Sequence, residues 1–233
     1  AYRLGEDRRV LLPVMVCQDA FILSHTMMTT NFPDQAAVDA FLPPLELPHR
    51  ITDRPRVIGG LDYPHETEVH RKELMDAMAQ AATVYTEVQD AFEEHFGRRP
   101  PDPVVPYRMD DAEVVLISMG TTASTVRAVV DAERSQGARV GALRVRMHRP
   151  FPERQLRDFL AGRARVGVFD RDLCPGLGGI LWSELRGLAP GALVQGYLLG
   201  LGGGDIRPSH VARALEDLRA RTEPGAPVIM EVG

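Results

Sequence analysis

The run Asp111-Ala-Glu-Val-Val-Leu-Ile-Ser-Met-Gly-Thr-Thr-Ala-Ser-Thr-Val126 decides the fold. Val114 to Ile117 form an unbroken aliphatic stretch, the pattern of a strand covered on both faces. Gly120 permits a tight turn, and Thr121 or Thr122 is expected to cap a following helix that carries Val126, Val129 and Val130. A second strand, near Val140 to Val145, leads into Arg144-Val-Arg-Met-His-Arg-Pro-Phe-Pro152 and ends at that proline turn.

The alternation continues to the end of the chain. Strands are expected at 113–118, 139–146, 165–169 and 192–198, with helices at 122–136, 153–161, 178–188 and 208–221. Val228 to Val232 would add an edge strand. Strand and helix in regular alternation predict an α/β fold, a mainly parallel sheet with helices on both faces.

Upstream the pattern is different. Ala1 to Arg9 read as the tail of a helix entering a strand, Val10 to Val16. Pro33-Asp34 precedes a short apolar helix, Ala36 to Phe41, which Pro43-Pro44 ends. Residues 43–62 are rich in proline and glycine and predict an extended connection. From Glu66 to Phe96 the apolar residues Leu74, Met78, Ala81, Tyr85, Val88 and Phe92 recur at helical spacing. Gly97 stops that helix, and Pro100-Pro101-Asp102-Pro103 reads as a stiff linker.

Composition narrows the function. The chain has 233 residues, 44% hydrophobic, with a formal net charge of −5. That balance argues against a nucleic-acid partner, which needs a basic face. No apolar run is long enough to span a membrane. Two cysteines far apart, Cys17 and Cys174, suggest free thiols in a reducing, cytoplasmic setting.

Several chemical motifs fail on spacing. A dinucleotide fingerprint starting at Gly176 meets Leu181 at its sixth position, and one starting at Gly200 meets Asp205. Tight structural turns are the better reading of both glycine runs. His65 and His70 lie about 140° apart on a helix and cannot chelate together, so no metal site is assigned. Glu66 and Glu68 instead suit the positive end of a helix dipole. Two cysteines cannot hold a four-thiolate iron–sulfur cluster.

The segments beginning at Asp111 and Arg144 resemble the second domain of the alpha subunit of the pyruvate:ferredoxin oxidoreductase family of thiamine-diphosphate enzymes. Leu12-Pro-Val-Met-Val-Cys-Gln-Asp-Ala-Phe-Ile-Leu-Ser-His-Thr26 is similar to the family's strand-to-helix segment, in which Asp-Gly-Phe is followed by Ser-His. Phe41-Leu-Pro-Pro44, Gly59-Gly-Leu-Asp-Tyr63, Phe169-Asp-Arg-Asp172, Gly176-Leu-Gly-Gly179 and Gly200-Leu-Gly-Gly-Gly-Asp-Ile206 follow in the family's order. The chain departs from the pattern at Ala20, where glycine is usual, and at Gly204, where a basic residue is common. Ala20 requires a turn that avoids positive φ, or a small backbone shift.

The resemblance implies three parts. Residues 1–58 would be the C-terminal part of a thiamine-diphosphate pyrimidine-binding domain whose N-terminal part is missing. Residues 59–110 would be a long helix and linker, and 111–233 a transketolase C-terminal-like domain. It also implies oxidative decarboxylation of pyruvate to acetyl-CoA, with electrons passing to ferredoxin. Thiamine diphosphate and Mg would serve the full complex, with [4Fe-4S] clusters in partner subunits. Beta, gamma and delta-type subunits, ferredoxin, coenzyme A and the 2-oxoacid would be the partners.

The family's cofactor-activating glutamate and its carboxylate-holding threonine and arginine map to no position here. No catalytic or cofactor-binding residue is therefore assigned, and the chain alone is expected to be inactive. The substrate or interface candidates are Asp19, Ser24, His25, Arg144 and Arg146. Ser24 and His25 would sit at a strand end facing a crevice, or Asp19 would cap a helix while His25 packs at a subunit contact. Arg144 and Arg146 share a face; with Arg149 they suit an acidic partner or a phosphate-bearing ligand, or salt bridges at a domain interface. Asp170, Arg171 and Asp172 would join that interface. A non-catalytic assembly module of the same fold, or a subunit acting on another 2-oxoacid, is the alternative.

Overall fold

The computed structural model describes residues 1–48, 55 and 58–230, and divides into two compact units, Ala1–Pro101 and Asp102–Gly233. The first unit is helical: α1 (Tyr2–Gly5), α2 (Ile22–His25), α3 (Gln35–Phe41) and α4 (Pro64–Phe96). Its small core joins Leu4 and Val10 to Ala81 and Val84 of α4, flanked by Leu12, Tyr85 and Val88. Phe41 of α3 meets Phe92 and Phe96 edge-on at 5.4 and 5.3 Å.

Both long-range ends of α4 are specified locally. Pro64 opens it, and Glu66 reaches back to accept the Tyr63 N–H at 2.7 Å, satisfying a donor that the helix leaves open. Gly97 closes it in the left-handed region at φ 67°. A Cβ on Gly97 would meet nothing within 4 Å, so the cost of a side chain there is purely conformational. Gly97→Ala is expected to destabilise this unit by about 1 kcal/mol, read as a lowered denaturation midpoint. The proline run then lies back along α4, where Gln89 donates to the Pro100 carbonyl at 2.9 Å and Tyr85 to the Pro101 carbonyl at 2.8 Å.

Two upstream expectations are corrected. Val10 to Val16 is not a strand: Val10 is buried in the helical core, while residues 13–18 run without regular structure and are exposed. The expected stripe on α4 is buried only in part, since Leu74 is 39% exposed and Val84 and Gln89 take the innermost positions instead. Of the expected connection 43–62, residues 43–48 and 58–62 have no helix or strand; 49–54, 56 and 57 lie outside the described residues.

The second unit is a six-stranded sheet in the order β1-β3-β2-β4-β5-β6. The strands are β1 (Val104–Tyr107), β2 (Val114–Ser118), β3 (Val140–Val145), β4 (Arg165–Asp170), β5 (Leu193–Leu198) and β6 (Val228–Ile229). Only β1 runs antiparallel, pairing Val104 with Val145; every other pair is parallel. β1 was hidden by its prolines, which are tolerated at a sheet edge where no ladder N–H is needed. The part of the expected final strand beyond Met230 lies outside the described residues.

Helices α5 (Thr122–Ser135), α6 (Glu153–Leu160), α7 (Ile180–Leu185) and α8 (Pro208–Ala220) cover both faces. Val115, Ile117, Val166 and Val168 pack against Leu156 and Leu160 of α6 and Trp182 and Leu185 of α7. On the other face Leu116, Ala142, Phe169 and Tyr197 meet Val126 and Val130 of α5 and Leu215 and Leu218 of α8. β2, buried from Val115 to Ser118, thus has apolar neighbours on both sides, which is why its sequence is continuous rather than alternating. Because β2 lies between β3 and β4, the connections leaving β2 and β4 diverge at their carboxyl ends.

Candidate functional site

In the first unit, Ser24 and His25 occupy the single turn α2, which is exposed throughout. His25 Nδ1 lies 3.0 Å from the Phe21 carbonyl and 2.9 Å from Ser24 Oγ. A carbonyl only accepts, so Nδ1 is the donor in that contact. The Phe21 ring lies beside the imidazole, centroids 5.2 Å apart. These residues stand together, but not at a strand end facing a crevice. Asp19 is half-buried and does not cap α2, whose N-cap is Phe21. Phe21 takes φ 61°, so the positive φ that glycine would accommodate falls one residue after Ala20.

In the second unit, Arg144 projects from β3 on the face of Ala142, the face that α5 covers, directly beside Ser118 of β2. Arg146 is exposed just beyond the strand, and its N–H donates to the Pro103 carbonyl at 2.8 Å. Of the three arginines expected to bridge at a domain interface, Arg149 instead pairs with Glu184, its guanidinium donating to both carboxylate oxygens, one of them at 3.0 Å. That pair lies within the unit and anchors the Arg-Pro-Phe-Pro turn to α7.

Asp170 proves to be a structural carboxyl. It ends β4 and is 4% exposed, accepting the Leu181 and Trp182 N–H groups at 2.9 and 3.0 Å. Asp172 accepts the Ile180 N–H at 3.1 Å, so two carboxylates serve the open amides of α7. Burial pushes the Asp170 pKa up to about 6, against the two amide hydrogen bonds and with help from Asp172. The Gly176-Leu-Gly-Gly179 run makes the expected tight turn, with Cys174 and Gly178 paired through both backbone groups. Its last glycine lets α7 approach Asp170. The signal was an aspartate ending a strand and a glycine pair before the next helix, but their pairing is not local.

Neither expected threonine caps α5. Thr121 holds the cap position without a side-chain cap bond, and Thr122 Oγ1 is buried without a partner. Two cavities of about 540 and 430 Å³ open at the amino edge of the sheet; Ala164 and Arg165 line both. Arg163 and Arg165 are spent there on carbonyls, Arg163 on Ala112 and Phe159, and Arg165 on Leu218 and Arg221. Both cysteines are free thiols, and among the described residues no group of side chains could hold a metal ion. Among those residues no helix is long and apolar enough to cross a membrane.

A two-faced parallel α/β domain preceded by a helical unit defines the class, and comparison with known proteins narrows it. Residues 1–90 match the model for the thiamine-diphosphate-binding region of pyruvate flavodoxin/ferredoxin oxidoreductase. Residues 112–211 match core domain II of pyruvate:ferredoxin oxidoreductase. Pyruvate synthase subunit PorA of Methanothermobacter thermautotrophicus is 38% identical over 224 residues, 96% of this chain and 57% of that one. PorA of Thermotoga maritima is 40% identical over 223 residues, covering 93% and 57% respectively. Ketoisovalerate oxidoreductase subunit VorA of Pyrococcus abyssi is 35% identical over 231 residues, covering 97% and 58%. The chain belongs to the pyruvate:ferredoxin oxidoreductase family. It spans somewhat more than half the length of these relatives.

The stretch 13–32 falls within the thiamine-binding match, yet its side chains are exposed apart from a half-buried Asp19.

Proposed function

We propose that this chain is the alpha-subunit portion of a thiamine-diphosphate-dependent 2-oxoacid:ferredoxin oxidoreductase that converts pyruvate to acetyl-CoA. The observation that carries the reading is the identity to PorA subunits over nearly the whole chain, 38% and 40% in the two cases given. Thiamine diphosphate with Mg would supply the carbanion chemistry in the complete enzyme. Iron–sulfur clusters in beta, gamma and delta-type subunits would carry electrons to ferredoxin, and coenzyme A would take the acyl group. The reading places the assembly in the cytoplasm.

This chain's part is scaffold and subunit contact. The second unit supplies a rigid sheet, and the exposed residues Phe21, Ile22 and Leu23, with Ser24 and His25, supply a surface for the rest of the assembly. Arg144 and Arg146 are surface charges for a partner subunit. The VorA likeness supports a second substrate reading, a branched-chain 2-oxoacid.

The test is the intact complex containing this chain, assayed for coenzyme-A-dependent reduction of ferredoxin with pyruvate, 2-oxoisovalerate and 2-oxoglutarate. A kcat/KM for pyruvate roughly tenfold or more above the others, about 1.4 kcal/mol of transition-state preference, is expected. Preference for 2-oxoisovalerate would replace the substrate. A complex without thiamine diphosphate and inert to all three would overturn the reading.

A further inference from the structure

Three buried side-chain atoms among the described residues have no hydrogen-bond partner: Ser118 Oγ, Thr122 Oγ1 and His148 Nδ1. All three lie at or just beyond the carboxyl ends of β2 and β3. Buried polar groups are otherwise almost always satisfied, and here the orphans gather at the sheet edge where ligands of open α/β sheets bind. Ser118 is 1% exposed and Thr122 3% exposed.

Their setting is basic in the electrostatic sense. Ser118 follows Leu116 by two residues and so faces α5, whose first turn begins at Thr122. In α5, a helix of 14 residues, the Ser124 N–H is taken by the Thr121 carbonyl at 2.9 Å, while the Thr122 and Ala123 amides have no carbonyl one turn back to bind, and the helix dipole places partial positive charge there. Gly120 at φ 59° followed by Thr121 at φ −72° turns successive amides toward one side, the geometry of an anion nest. Met119, Gly120 and Thr121, which link the two hydroxyl-bearing residues, are only half-buried.

We propose that the β2–α5 junction is a binding subsite for a tetrahedral oxyanion of the phosphate class, with Ser118 and Thr122 donating hydroxyl hydrogen bonds and the Thr122 and Ala123 amides completing the shell. The site belongs to the second unit alone and is independent of the reaction assigned above. Free phosphate and the phosphate group of an ester share this chemistry.

The 233-residue chain would be titrated with inorganic phosphate and, separately, with phenyl phosphate, at constant ionic strength set by chloride. Binding would be followed by calorimetry and by the shift in thermal midpoint. Saturable binding is expected for the wild type, weakened roughly tenfold or more in Ser118→Ala and in Thr122→Val. Because the two hydroxyls are unpartnered without ligand, each variant should keep or raise its midpoint in phosphate-free buffer. That second readout separates lost binding from a damaged fold. Phenyl phosphate binding at least as well as phosphate would support the site and name an ester as its source; phosphate alone would support it and name the free ion. No saturable binding in the wild type, or equal binding in wild type and both variants, would overturn the proposal.

Discussion

Gly179→Ala is expected to destabilise the second unit by about 3 kcal/mol, a fall in thermal midpoint of roughly 10 °C. The added Cβ would stand 2.2 Å from Asp170 Oδ2 and 2.6 Å from Asp170 Cβ. The backbone at Gly179, φ −70° and ψ 140°, suits any residue, so the penalty is steric rather than conformational. Relief requires moving α7 away from Asp170, which breaks the amide bonds to a buried carboxyl and leaves it unsatisfied. Gly187 is the internal control: a Cβ there meets nothing within 4 Å and φ is not positive, so Gly187→Ala should stay within about 0.5 kcal/mol of wild type or gain slightly. Equal midpoints for the two variants in thermal melts would sink the account of α7 docking.

Asp170 should also give this unit a pH-dependent stability of unusual sign. Its folded pKa, about 6, lies above the ordinary 3.8. The fold therefore holds the proton more tightly than the unfolded chain does. The contribution is complete below about pH 4 and is lost as pH rises through 6, amounting to roughly 3 kcal/mol. Asp111 and Asp217 act oppositely, because hydrogen bonds to Arg134 and Arg221 hold their carboxyls below the usual range and stabilise at higher pH. Asp170→Asn isolates the term. The stability difference between wild type and variant, from urea titrations at pH 4, 5, 6 and 7, should fall by roughly 2.4 kcal/mol across the series. A difference independent of pH would remove the buried acid from the account.

The sheet was legible because its signals are local. The aliphatic run of β2 and the turn glycines delimit elements without reference to distant residues, and the parallel strands fall within a residue or so of expectation. The same signal misled at Val10 to Val16. Apolar residues there promise a covered strand, but strand formation needs a neighbour to pair with, and the described residues provide none. β1 failed in the opposite direction: its strand is defined by pairing with β3, while Pro103 and Pro106 read locally as linker. Ser24 and His25 could be singled out as neighbours, but not the one-turn helix that holds them. Asp170, Ser118 and Thr122 escaped for one reason. What matters about each is its burial and its partners, or lack of them, and those depend on how α5 and α7 settle on the sheet.

One edge of that sheet bears on self-association. A long, flat, apolar edge invites other chains to zip onto it. Here one border is β1, four residues long with Pro106 lacking an N–H to offer. The β1 border therefore offers little for a second copy of the chain to zip onto.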